Sequence, residues 1–153
     1  MHNKVENNVR FVSHNLELPL PFEDQAFDIV ICNDVLEHVE NKKKLIQELF
    51  RQTKQYLIIS LPNTQYWKYI LGLVLGNMGK QYNFMVEDLS DRHRWITYYD
   101  KNIEFIRSNL PENFELIKIV NTVPIPLLPI FLAKLLKKFS VFNQIFFIKR
   151  VSF

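Results

Sequence analysis

Glycine is almost missing from this 153-residue chain: there are three, Gly72, Gly76 and Gly79, all in one short stretch. Everything before Gly72 therefore lacks a glycine-rich loop of the kind that wraps a phosphate or a dinucleotide. Cysteine is missing but for Cys32, so no disulfide can form within the chain, and a reducing, cytoplasmic setting is expected. Long apolar runs are missing too. A bilayer span takes roughly 20 such residues, and the richest stretch, Val123 to Leu136, is broken by Pro124, Pro126, Pro129 and Lys134. The opening MHNKVENNVR has no apolar segment and does not read as a secretory signal. Acidic residues are absent from Leu116 to Phe153, where Lys118, Lys134, Lys137, Lys138, Lys149 and Arg150 make a basic, apolar tail.

What is present is the material of one globular domain. Apolar residues make up 48% and charged residues 23%, and thirteen Phe exceed the aromatic content of a disordered chain. The length suits a single core, so the domain is taken as 1–153. A net charge of +3 is too small to argue for nucleic acid. Two readings of the tail stand side by side. Pro124 to Lys138 can lie on an anionic membrane surface with Lys134, Lys137 and Lys138 at the headgroups. It can equally form a core-covering helix followed by an edge strand, and this second reading is the expectation.

The hydrophobic pattern gives an α/β order. Val9 to Ser13 alternates as a short strand, and Pro19 and Pro21 then interrupt regular structure. Phe27 to Cys32 is a nearly continuous apolar run, the pattern of a parallel strand covered on both faces. A helix is predicted from Asn41, as N-cap, to Gln55, with Leu45, Ile46, Leu49 and Phe50 on one stripe. Three lysines in its first turn oppose the helix dipole. Tyr56 to Ser60 is the next strand. Strand, helix and strand in that order make a right-handed βαβ unit, hence a parallel sheet. Further helices are predicted over Thr64 to Gly76, Asp100 to Asn109 with Asp100 as N-cap, and Ile130 to Phe139. Phe114 to Val120 and Asn143 to Val151 read as strands.

The stretch LPFEDQAFDIVICNDVLEHVENKKKLIQELFRQTKQYLIISLPN, Leu20 to Asn63, resembles the middle of class I, S-adenosylmethionine-dependent methyltransferases of the small-molecule, type 11 kind. DRHRWITYY resembles the family's late HRW segment, and the last strand pair its antiparallel C-terminal strands. The resemblance implies a partial Rossmann-like sheet, with mostly parallel strands flanked by helices and an antiparallel C-terminal pair. It also implies that the family's first strand and GxGxG turn would lie upstream of Met1, so a domain truncated at its N-terminus is expected. Methyl transfer from S-adenosylmethionine to a small-molecule or sugar-like acceptor is the implied activity.

In open α/β sheets the ligand lies beyond the carboxyl ends of the strands. By the resemblance, Asn15 and Leu16 would meet the adenine, and Asn33, Asp34 and Leu36 the methionine part. Asn15 stands where the family usually has Asp, and its carbonyl oxygen can still accept. His38 would orient or deprotonate the acceptor, and Glu37, Asn63, His93, Arg94 and Trp95 would face it. The plainer alternatives remain open: Glu37 and His38 as helix caps, Trp95 as a packed anchor, Asp28 in a structural hydrogen bond. His14, His38 and His93 match no compact ligand spacing, so no metal is expected. Cys32 reads as a small buried hydrophobe. Two other functions stand beside the enzyme: a non-catalytic remnant or subunit, and a peripheral membrane module. Unpaired sheet edges make a homodimer or a sheet-completing partner a further expectation.

Overall fold

The computed structural model describes residues 9–76, 93–123 and 136–151. The apolar run after the proline-broken segment forms β1, Phe27–Asn33. Helix α1, Lys42–Gln52, follows, and Asn41 caps it by accepting the Lys44 amide at 3.2 Å. Its stripe of Leu45, Ile46, Leu49 and Phe50 is buried. The dipole conflict of its lysines is met from outside the helix. Glu17 presents its carboxylate to the amides of Glu40 and Asn41 at 2.6 and 3.1 Å, which places negative charge at the helix N-terminus. Strand β2, Thr53–Pro62, begins directly after α1. The turn is fixed from the far end of the sequence by Arg150, whose guanidinium donates to Phe50 O and Thr53 O.

Beyond β2 come α2, Trp67–Val74, and α3, Tyr99–Ser108. Asp100 lies in the first turn of α3, and Tyr98 holds the N-cap position without a capping side chain. Here the structure corrects the sequence expectation: the Tyr99 amide is bonded by Gln65 Oε1 at 3.1 Å, so a distant side chain supplies the cap. Then follow β3, Phe114–Thr122, the single turn α4, Lys137–Ser140, and β4, Asn143–Arg150. Most of the helix expected over Ile130 to Phe139 lies outside the described residues.

The four strands stand in the order β1-β2-β4-β3. β1 and β2 are parallel, and β4 runs antiparallel between β2 and β3. Three strands thus point one way and the last chain segment is threaded between two of them. Val9 to Ser13 is no strand. Phe11 is 92% exposed, and no ladder pairs this segment among the described residues. An alternating pattern becomes a strand only where a neighbour accepts its backbone bonds.

The core lies on one face of the sheet, where Cys32, Leu57, Ile59, Phe146 and Ile148 pack against Leu45, Ile46, Leu49 and Phe50 of α1 and Ile106 of α3. The other face corrects the expectation that β1 is covered on both sides: Ile29 and Ile31 are 55% and 67% exposed. A shallow apolar depression of about 360 Å³ lies there, lined by Tyr56, Ile58, Ile117 and Phe147 among others.

Candidate functional site at the carboxyl ends of the first two strands

β1 ends in a sharp turn. Asp34 has φ 51°, in the left-handed region that short polar side chains enter most readily. Ser60, at the matching end of β2, holds the turn. Its Oγ accepts the Asp34 amide at 3.0 Å, and its one hydrogen is shared between Asn33 Oδ1 (2.8 Å) and Asp34 Oδ1 (2.6 Å). Asn143 Nδ2, from β4, donates to the Asp34 carboxylate at 2.9 and 3.2 Å. The Asp34 side chain is therefore occupied in tying three strands together.

The next turn, closed by His38 N to Val35 O at 3.0 Å, buries Leu36 and Glu37 to 1% and 2% exposure. The Glu37 carbonyl reaches across the fold, accepting the amides of Arg94 at 2.9 Å and Trp95 at 3.2 Å. Trp95 Nε1 then donates to Val39 O at 2.8 Å, and the Lys42 ammonium stands 3.5 Å over the Trp95 ring. These contacts stitch the HRW segment to the VLEH loop. His38 and His93 meet edge to face, with ring centroids 4.6 Å apart.

Burial governs the electrostatics. It pushes the Glu37 carboxyl up to about 7; a hydrogen bond within its own residue opposes this and the nearby Asp34 charge adds to it. Glu37 Oε2 is buried with no hydrogen-bond partner. Burial also pushes the Cys32 thiol up to about 12, with smaller contributions from Glu37 and Asp34, in keeping with an inert core position. Desolvation lowers the pKa of Lys42.

A pocket of about 110 Å³ opens between this loop and α3, lined by Leu36, Glu37, Lys42, Trp95, Tyr98 and Phe105 among others. That volume is below the roughly 300–1,000 Å³ of a drug-sized ligand's site and suits a part of one. It gathers Leu36, Glu37 and Trp95 of the sequence-predicted residues. His38 and His93 stand beside Glu37, and Arg94 is exposed, 3.7 Å from Glu40. Asn63 is buried and spent on backbone: Nδ2 donates to Lys138 O and Val141 O, both at 2.7 Å, and Oδ1 accepts Gln65 N. Asn15 and Leu16 are exposed, and Asn15 Oδ1 accepts the Glu17 amide at 3.0 Å. His14 lies in that same turn, near Pro19 O. Sequence reasoning missed Lys42, Tyr98 and Phe105, whose place in the pocket comes from the docking of α3 and leaves no local signal. It also missed the meeting of His38 with His93, which lie on distant segments.

Residues 1–59 match the methyltransferase domain family. The fold matches an S-adenosylmethionine-dependent methyltransferase from Thermotoga maritima, with TM-score 0.60 and 14% identity over 95% of this chain and 66% of that one. The fold is that of a class I methyltransferase. Magnesium protoporphyrin IX methyltransferase from Synechocystis PCC 6803, solved with bound SAH, has the same fold at TM-score 0.52 and 17% identity, over 92% of this chain and 50% of that one. The ubiquinone biosynthesis O-methyltransferase of Rickettsia conorii is 41% identical over 54 residues, 34% of this chain and 19% of that protein. The methyltransferase-like chain thus spans only a small part of this curated relative. No described helix is long and apolar enough to cross a membrane.

Proposed function

We propose that this domain serves methyl transfer from S-adenosylmethionine to a small-molecule acceptor. The observation that carries the reading is the turn after β1, clamped by Ser60 and Asn143 and carrying Leu36 and Glu37 into a pocket roofed by Trp95. The family match over residues 1–59 supports it, and the name of the Rickettsia relative favours an oxygen acceptor.

The residues fit part of the cofactor. With Asn33 Oδ1 taken by Ser60, the donor end of that amide is what it can offer a ligand, and Leu36 supplies an apolar wall. Asn15 and Leu16, exposed at the neighbouring turn, would take the adenine side. S-adenosylmethionine supplies a methyl already activated on a sulfonium. The chain's share of the work is then to position, and to exclude water. Trp95 and Phe105 present apolar surface to the acceptor, and Lys42 and Lys101 bring positive charge to the same pocket. His38 stands next to Glu37 for proton handling if the acceptor must lose one.

The test is calorimetric titration of S-adenosylmethionine and of its demethylated product into the purified chain, with folding checked by circular dichroism. Saturable micromolar binding supports the enzyme. No binding to a well-folded chain sinks it and leaves the second reading, a non-catalytic subunit. The open apolar sheet face at Ile29 and Ile31 favours that alternative, because such a face suits a partner that completes the domain.

A further inference from the structure

We propose that Glu37, His38 and His93 form a binding site for a divalent transition-metal ion of the zinc class; it is tested without reference to methyl transfer, and with the ion bound His38 acts as a ligand and not as a proton carrier. Their ligand atoms all lie within 4.8 Å of one another. With metal bonds of about 2.0–2.2 Å, donor atoms in a tetrahedral site stand about 3.4 Å apart, so modest side-chain rotation closes the set. Two imidazoles and one carboxylate are the donors that hold zinc with a fourth position open, and also non-haem iron(II).

Three further observations point the same way. Glu37 Oε2 is buried without a hydrogen-bond partner, an expensive arrangement that a cation offsets. The Asp34 carboxylate nearby is held by two neutral side chains, Ser60 and Asn143. Among the described residues no lysine or arginine forms an ion pair with Asp34 or Glu37, and the Lys42 ammonium stands over the Trp95 ring. Finally, the backbone bonds from Arg94 and Trp95 to the Glu37 carbonyl fix the segment carrying His93 against the one carrying His38. The geometry is held by main chain and does not wait for the ion. Because Glu37 also lines the pocket, an ion held there borders whatever molecule the pocket takes and can polarise its oxygen.

The experiment is a titration of Co²⁺ into the metal-stripped full chain, read by visible d–d absorption and followed by displacement with Zn²⁺. One saturable equivalent is expected. His38→Ala and His93→Ala should each weaken binding by at least about tenfold, with circular dichroism unchanged. His14→Ala, in the turn near Pro19, should leave it unaltered. Glu37→Gln, isosteric and neutral, should weaken binding likewise and keeps the test valid if an alanine variant fails to fold. Absence of one-to-one binding, or the same affinity in the folded variants as in the parent, overturns the proposal.

Discussion

Replacing Asn63 by alanine removes one side chain that satisfies three backbone groups. The residue is fully buried, and its amide donates to Lys138 O and Val141 O while its carbonyl accepts from Gln65 N. Its own amide also donates to Phe142 O at 2.9 Å, and that bond survives the substitution. Each group left unpaired away from water costs about 1–3 kcal/mol. The Lys138 and Gln65 groups are only partly buried and recover some hydration, so the expected loss is about 3 kcal/mol. For a domain of this size that corresponds to a fall in Tm on the order of 10 °C. Asn63→Asp should do worse, since it sets a carboxylate against two carbonyl oxygens and retains no donor. The assay is urea and thermal unfolding of the two variants beside the parent. A loss below about 1 kcal/mol in Asn63→Ala would refute the account of this residue as a tie between the end of β2 and the start of β4. Intact stability with lost ligand affinity would return it to the substrate contacts expected from sequence.

The Cys32 thiol gives a pH signature: the unfolded chain releases this proton near pH 9 and the folded chain near 12, so stability falls as pH rises between them. Urea midpoints at pH 8.5 and 10.5 should drop further for the parent than for Cys32→Ala, by up to about 2 kcal/mol, and equal slopes would contradict it. Arg150→Lys keeps the charge but loses the paired donors to Phe50 O and Thr53 O and weakens the contact over the Phe114 ring. It should cost about 1–2 kcal/mol in chemical denaturation. Trp95→Ala opens the pocket and removes the bond to Val39 O, so ligand affinity in calorimetry should fall at least about tenfold, with helix content by circular dichroism preserved.

What could be read from sequence was local. The run FDIVIC, the stripe Leu45, Ile46, Leu49 and Phe50, and the run YLIIS each declare their element within a window of ten residues or so, and β1, α1 and β2 formed where these stand. The order of strands could not be read that way. β4 lies between β2 and β3, and nothing in NQIFFIKR distinguishes a central strand from an edge one. The same limit explains Val9 to Ser13, whose alternation is real but whose partner is not among the described residues. At the site, the turn after β1 was legible as a place. Its occupants were not, because Asp34 and Asn63, both polar and both expected to face a ligand, are taken up by Asn143, Ser60 and the backbone before α4 and β4.

That distribution of labour bears on how the site works. The links that bring the VLEH and HRW segments together run through the Glu37 carbonyl and the Val39 carbonyl, while the Asp34 side chain anchors the turn from behind. These links engage the carbonyl of Glu37 and leave its carboxylate out, so the carboxylate is not what joins the two segments. A buried carboxylate with an unpartnered oxygen destabilises a domain unless something else keeps it there. Here the two flanking segments would remain joined with glutamine at position 37, and burial of the residue would relax. A buried acid whose Oε2 meets no partner within the fold is the physical argument that the group serves a ligand.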